Sequence, residues 1–110
     1  MFERMKVMFT GHRDRVTRIE CLLWIIDALP KNTIWLHGGA KGFDTQVDSA
    51  ARRFRTKKNT SVFYPDYKSF TKYGAPHVRN DQMLELADLV VACWDGRKRG
   101  GTYSVIRKAR

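Results

Sequence analysis

Cysteine is scarce: two residues in 110, Cys21 and Cys93. Two cannot build the disulfide framework of a small secreted domain, and no Cys/His grouping has zinc-ligand spacing. Acidic residues are also few, 11 against 21 Lys and Arg, which leaves a net charge of +10. No apolar run approaches the ~20 residues that span a bilayer. The longest, Cys21 to Ala28, contains Asp27 and stops at Pro30. The first residues do not read as a signal peptide, because Glu3, Arg4 and Lys6 interrupt any apolar core. Internal repeats, low-complexity segments and linkers are absent. Two phosphate-binding signatures are missing as well. Gly38 to Gly42 lacks the Gly-Lys-Ser/Thr ending of a P-loop, and Gly-x-Gly-x-x-Gly does not occur. These absences predict a reduced, cytoplasmic protein with no membrane partner, metal site or cofactor.

What is present is a globular composition. Hydrophobic residues make up 43% and aromatics 12%, too many for a disordered chain. The length fits a single domain over residues 1–110, able to bury roughly two-thirds of its unfolded surface. Short apolar runs rich in β-formers occur at 6–10, 33–37, 61–64 and 89–94. Between them apolar residues recur at helical spacing. Val16, Ile19, Leu22, Leu23, Ile26 and Leu29 form one stripe. Phe43, Val47, Ala50, Ala51 and Phe54 form another. Val78, Met83, Leu84 and Ala87 follow Pro76, and residues 102–110 begin a last helix. Strand and helix alternate with no hairpin signal, which predicts an α/β fold: a four-stranded parallel sheet, helix-covered in three α/β/α layers. Leu89 to Trp94 is apolar on both faces, as a central parallel strand requires. Trp24, Trp35 and Met83 read as core or interface, and Cys21 and Cys93 as small buried hydrophobes.

In parallel sheets ligands bind beyond the carboxyl ends of the strands, near the switch in strand order. Three strand ends here run through glycine-rich loops into helices: 10–14, 37–44 and 95–102. Glycine lets a ligand approach backbone N–H groups, and a helix N-terminus adds free donors and a positive dipole end. Three such loops on one sheet edge point to a phosphorylated ligand. Basic residues form runs at 52–58, 97–99 and 107–110, and only the middle run lies inside a glycine-rich loop. Each run reads either as a polyanion contact or as a solvated face.

The loops together carry a resemblance. Thr-Gly-His-Arg-Asp at 10–14, His-Gly-Gly-Ala-Lys-Gly-Phe-Asp at 37–44, Arg-Asn-Asp-Gln-Met at 79–83 and Arg-Gly-Gly-Thr at 99–102 resemble the YspA-like branch of the SLOG superfamily. The resemblance implies a Rossmann-like fold that binds a nucleotide or a nucleotide-derived ligand such as an ADP-ribose derivative. More distant relatives include the lonely-guy phosphoribohydrolases and the DNA-processing protein A family. In the phosphoribohydrolases a catalytic Glu stands three residues after the Thr matched by Thr102; here that position is Val105. The family also continues into a further strand after the last helix, so a four-stranded sheet is minimal, or its last edge is completed by a partner or left open.

Each candidate has a functional and a plain reading. Gly11 and Arg13 meet a phosphate, or form a turn with an Arg in solvent. His12 contacts ligand, is structural, or is a polar surface residue. Gly38, Gly39 and Gly42 cradle a ligand or simply turn the chain. Asp44 caps the following helix or accepts ribose hydroxyls, and Lys41 pairs with phosphate or points to water. Arg79 clamps phosphate with both guanidinium arms, or pairs with an acid such as Asp81 or Asp88. Asn80 bonds a ribose or base edge. Gly100, Gly101 and Thr102 form the main phosphate site, with Arg97 and Arg99 closing over it or standing idle. Tyr64, Tyr67, Phe70 and Tyr73 stack on a base or pack over the sheet edge. The leading expectation is a sensor or sequestering module for a nucleotide-derived ligand. The alternatives are a nucleoside-phosphate N-glycosidic hydrolase, with Asp44 or Asp95 as its carboxylate, and a nucleic-acid binder driven by the basic surface. A homodimer is a further expectation, because a four-stranded sheet with an apolar helix surface leaves apolar area to cover.

Overall fold

The structure is a computed structural model and describes residues 5–12, 14, 16–30, 32–54, 60–72 and 74–109. Strand and helix alternate throughout. The strands are β1 (Lys6–Gly11), β2 (Ile34–His37), β3 (Thr60–Val62) and β4 (Leu89–Cys93). The helices are α1 (Ile19–Ala28), α2 (Phe43–Phe54), α3 (Gly74–Leu86) and α4 (Gly100–Ala109). All strands pair in parallel, in the order β3-β2-β1-β4. The result is the expected Rossmann-like three-layer α/β/α fold.

Strand β1 holds the centre because both its flanks are paired and both its faces are apolar. Val7, Met8 and Phe9 have no exposed surface. The two-residue period of a strand sends Val7 and Phe9 to one side and Met8 to the other. Val7 and Phe9 pack with Trp35, with Leu22 and Ile26 of α1, and with Phe43, Val47, Ala50 and Ala51 of α2. Met8 packs with Leu36, with Met83 of α3 and with Val105 of α4. Two helices therefore cover each face. Burying a side chain such as Phe9 or Leu22 contributes ~1.5–3 kcal/mol.

The chain stops α1 where the sequence requires it. Leu29 is extended, with φ −83° and ψ 148°, as a residue before proline prefers. Its amide still reaches back to the carbonyls of Ile25 and Ile26. At the other end Val16 lies outside the helix and is 62% exposed. Leu22 and Ile26, one turn apart, face the sheet, so the opposite side of α1 points to water. That places Trp24 at 74% exposure, outside the core, and leaves Cys21 exposed, against the expectation of a buried thiol. Cys93 is half-buried.

One topological expectation is overturned. Strand β4 is an edge strand and not a central one: among the described residues it pairs only with β1. Leu89 is 43% exposed. Apolar character on both faces reports what lies above and below a strand, and says nothing of what lies beside it. After β3 the chain returns across the sheet through α3 and enters β4 on the far side of β1. Asp88 secures that entry: its amide donates to the Lys6 carbonyl at 2.8 Å, and its carboxylate accepts from the Lys6 amide at 2.9 Å. The reversal makes the carboxyl ends of β1 and β4 the switch point of the sheet.

Candidate functional site

Gly11 ends β1 under the first residue of α2. A Cβ there would lie 2.4 Å from the Cβ of Phe43. The glycine therefore admits the helix, and the space its side chain would take is filled by protein. The Phe43 amide, 3.4 Å from the His12 carbonyl, joins the same two elements. Arg13 lies outside the described residues.

The loop between β2 and α2 is held from within. Gly39 and Gly42 have φ of +68° and +76°, which glycine adopts without strain. The Asp44 carboxylate accepts from the amides of Gly38 at 3.1 Å and Ala40 at 3.3 Å. The Gly39 amide donates to Nδ1 of His37 at 3.1 Å, so Nε2 carries the proton and donates to Asp48 at 3.1 Å. The amides of Gly38 and Gly39, expected to cradle a ligand, are thus taken by the protein's own groups. Asp44 organises the loop that precedes its helix. Burial pushes its carboxyl above the ordinary value of 3.8, against the opposing pull of the Ala40 amide, His37, Arg79 and the Gly38 amide.

Arg79 reaches this loop from α3 on the other side. Its Nη1 donates to the Gly38 carbonyl at 2.7 Å and to the Phe63 carbonyl at 3.5 Å. Its Nε donates to Asn80 Oδ1 at 2.7 Å. A Cβ at Gly38 would fall 2.2 Å from Nη1. The guanidinium straps β2, β3 and α3 together. The two acids expected as its alternative partners are engaged elsewhere: Asp88 at Lys6, and Asp81 by Lys108 Nζ at 2.6 Å.

At the switch point the parts converge. A cleft of about 570 Å³ opens between the ends of β1 and β4, the first turn of α4 and the start of α3. Gly11, His12, Arg79, Asn80, Gly100, Gly101 and Thr102 all line it. Gly38, Gly39, Gly42 and Asp44 do not. Gly39 and Asp44 instead border a smaller cavity of about 230 Å³ with His37, Asp48, Arg52 and Tyr64. Gly100 has φ +89° in open space, so its requirement is conformational. A Cβ at Gly101 would stand 3.2 Å from Asn80 Nδ2, which shows how closely α3 meets the first turn of α4. The first amides of any helix lack intrahelical partners, and here they border the cleft beside the buried Thr102 side chain.

The rim carries a charge brace. Arg97 makes a bidentate contact with Asp95, Nη2 to Oδ2 at 2.6 Å and Nε to Oδ1 at 3.0 Å, and reaches Asp14 at 3.3 Å. Arg97's side-chain hydrogen bonds hold the Asp95 carboxyl well below the usual carboxylate range. His12 Nε2 lies 3.2 Å from the Asp95 carboxylate and 3.4 Å from the Asp95 amide. Protonated, it donates to the first; as the Nδ1–H tautomer it accepts from the second. The Cys93 thiol is pushed up, first by burial and then by Asp95.

Sequence reasoning misses several lining residues. Pro76, His77 and Asn80 share one side of α3 at three- and four-residue spacing, so Asn80 points the way to His77. Lys72 carries no signal, being in irregular chain. The His37–Asp48 pair with Arg52 is also invisible in the sequence, because it needs α2 placed beside β2. Tyr67 lines the cleft and is 54% exposed, whereas Tyr64 and Phe70 are exposed outside it. Tyr73 is outside the described residues. Val105 is buried in the core between α4 and the sheet. Among the described residues no group of three or more His, Cys, Asp or Glu is placed to hold a metal ion, and no helix is long and apolar enough to cross a membrane. Comparison with known proteins finds no family model, no curated protein and no solved structure that matches this chain.

Proposed function

We propose that the cleft at the β1/β4 switch point binds a nucleotide or nucleotide-derived phosphorylated ligand of the ADP-ribose type. One observation carries this reading: the cleft opens onto the first turn of α4, where helix-end amides and Thr102 offer donors to a phosphate. Its volume falls within the range of small-ligand sites, roughly 300–1,000 Å³. Lys72 and His77 add basic groups to the wall, and Tyr67 offers a ring to a base. Arg79 serves the ligand indirectly, by setting the loop that carries Ala40 into the wall. The choice of an ADP-ribose-type ligand comes from the SLOG-like motifs.

Binding is favoured over N-glycosidic hydrolysis by the state of the carboxylates. Asp44 holds two loop amides, Asp95 is held by Arg97, and position 105 is a buried valine. The test is a thermal-shift series at constant ionic strength with AMP, ADP, ADP-ribose and NAD. At least one should stabilise the protein, by about 2.7 kcal/mol at a hundredfold excess over its Kd. Thr102→Val and Lys72→Ala should each reduce the shift, and chromatography should return the ligand intact. No stabilisation by any of the four would sink the reading. A cleaved ligand would replace it with the hydrolase.

A further inference from the structure

We infer that the outer face of α4, with the edge of β4 beside it, is a docking surface for single-stranded nucleic acid. A groove of about 540 Å³ runs along this face, lined by Lys98, Arg99, Tyr103, Ser104, Arg107 and Lys108. Among the described residues no carboxylate lines it, though Lys108 Nζ donates to Asp81 at 2.6 Å. Tyr103 and Arg107, and likewise Ser104 and Lys108, stand one turn apart, so ring and cations share one side of the helix. The Tyr103 ring has Trp94 at 6.0 Å between centroids, tilted by 31°, and the Arg107 guanidinium 5.7 Å from its centroid. Trp94 is 39% exposed, yet its indole is not free to swing. Its N–H donates to the Arg97 carbonyl at 2.7 Å.

A pre-set aromatic platform flanked by cations is what a single strand needs. Its phosphates track the basic side chains and its unpaired bases offer π faces to the rings. A duplex hides those faces, and an acidic peptide would use the cations but not the platform. The charge here also differs from that of the cleft, where Arg97 is already neutralised by Asp95 and Asp14. Among the described residues the two sites share only Gly100 in their linings, so this surface stands or falls independently of nucleotide binding.

The experiment is fluorescence anisotropy with labelled oligothymidylate and oligouridylate of about 20 nucleotides, across a salt series. Trp94→Ala should weaken binding about tenfold at an unchanged salt slope, and Trp94→Phe should restore most of it. The double variant Arg99→Glu/Arg107→Glu should weaken binding more and flatten the slope of log K against log salt, by about 0.7 for each phosphate no longer neutralised. Arg18→Glu/Lys68→Glu removes the same charge elsewhere on the surface and should cost far less. Equal loss in both double variants, indifference to Trp94→Ala, or polyphosphate or polyglutamate competing as well as an oligonucleotide would overturn the inference. Each would leave net charge as the whole cause. ADP-ribose stabilisation in the Arg99/Arg107 double variant reports on the cleft alone and separates the two readings.

Discussion

Asp44 shows how a single side chain can be read correctly in kind and wrongly in partner. An Asp in the first turn of a helix suggests capping, and Asp44 does accept backbone amides. They belong to Gly38 and Ala40, ahead of the helix, and not to α2. The burial that makes this possible raises its folded-state pKa above 3.8. The native state then binds a proton more readily than the unfolded chain, so Asp44 lowers stability as pH rises from 3.8 through the raised value. Asp44→Asn keeps an acceptor and removes the titration. Relative to wild type it should gain stability between about pH 4 and neutrality, as measured by urea denaturation. A pH-independent difference would contradict this. Asp44→Ala strands two amides and should lose about 1–3 kcal/mol near pH 4, less as pH rises and the wild type itself loses stability. Arg79 is the converse case. Its residue type suits a phosphate clamp, yet its Nη1 and Nε donate to Gly38, Phe63 and Asn80. No local pattern announces a bond between residues 41 positions apart.

At the scale of elements, spacing along the chain carries most of the information. The four strands and four helices fall where the apolar runs and stripes put them. Boundaries differ by one to three residues: α1 starts at Ile19, β3 ends at Val62 and α4 starts at Gly100. These are the places where a helix or strand frays into irregular chain. The glycines are harder to read. Gly11 and Gly38 sit at strand ends because α2 and Arg79 occupy the space a Cβ would need. Gly11→Ala tests this. Its Cβ would strike the Cβ of Phe43, which is tied to the backbone of α2, so β1 and α2 must part. The expected loss is about 1–3 kcal/mol in chemical denaturation, without any ligand present. A variant as stable as wild type would show that α2 accommodates a Cβ at Gly11 and that packing does not require the glycine.

For the whole molecule, charge weighs most. With a net charge of +10 the folded state repels itself. Salt screens that repulsion over ~8–10 Å at physiological strength. The melting temperature at pH 7 should therefore rise as sodium chloride is added from low to moderate concentration. A fall would mean that the Arg97–Asp95–Asp14 brace and similar pairs outweigh the repulsion. The open side of β4, with Leu89 and Trp94 exposed, is where apolar surface and unpaired backbone coincide.

The division between chain and fold follows from range. Periodicity, proline and glycine are local, so the alternation of strand and helix, the C-terminal stop of α1 before Pro30 and most of the apolar stripes of α1 and α2 can be read directly from the residues. So can the cluster of loops at one edge, since in a parallel sheet every strand delivers its carboxyl end to the same side. What the tertiary structure alone decided is lateral and long-range. It set β4 at the edge of the sheet and made Arg79 a strap. It gave the amides of Gly38, Gly39 and Ala40 to Asp44 and His37, and set Trp94 on Tyr103. Each depends on which elements lie beside one another, and hydrophobic spacing along the chain records only which side of an element is buried.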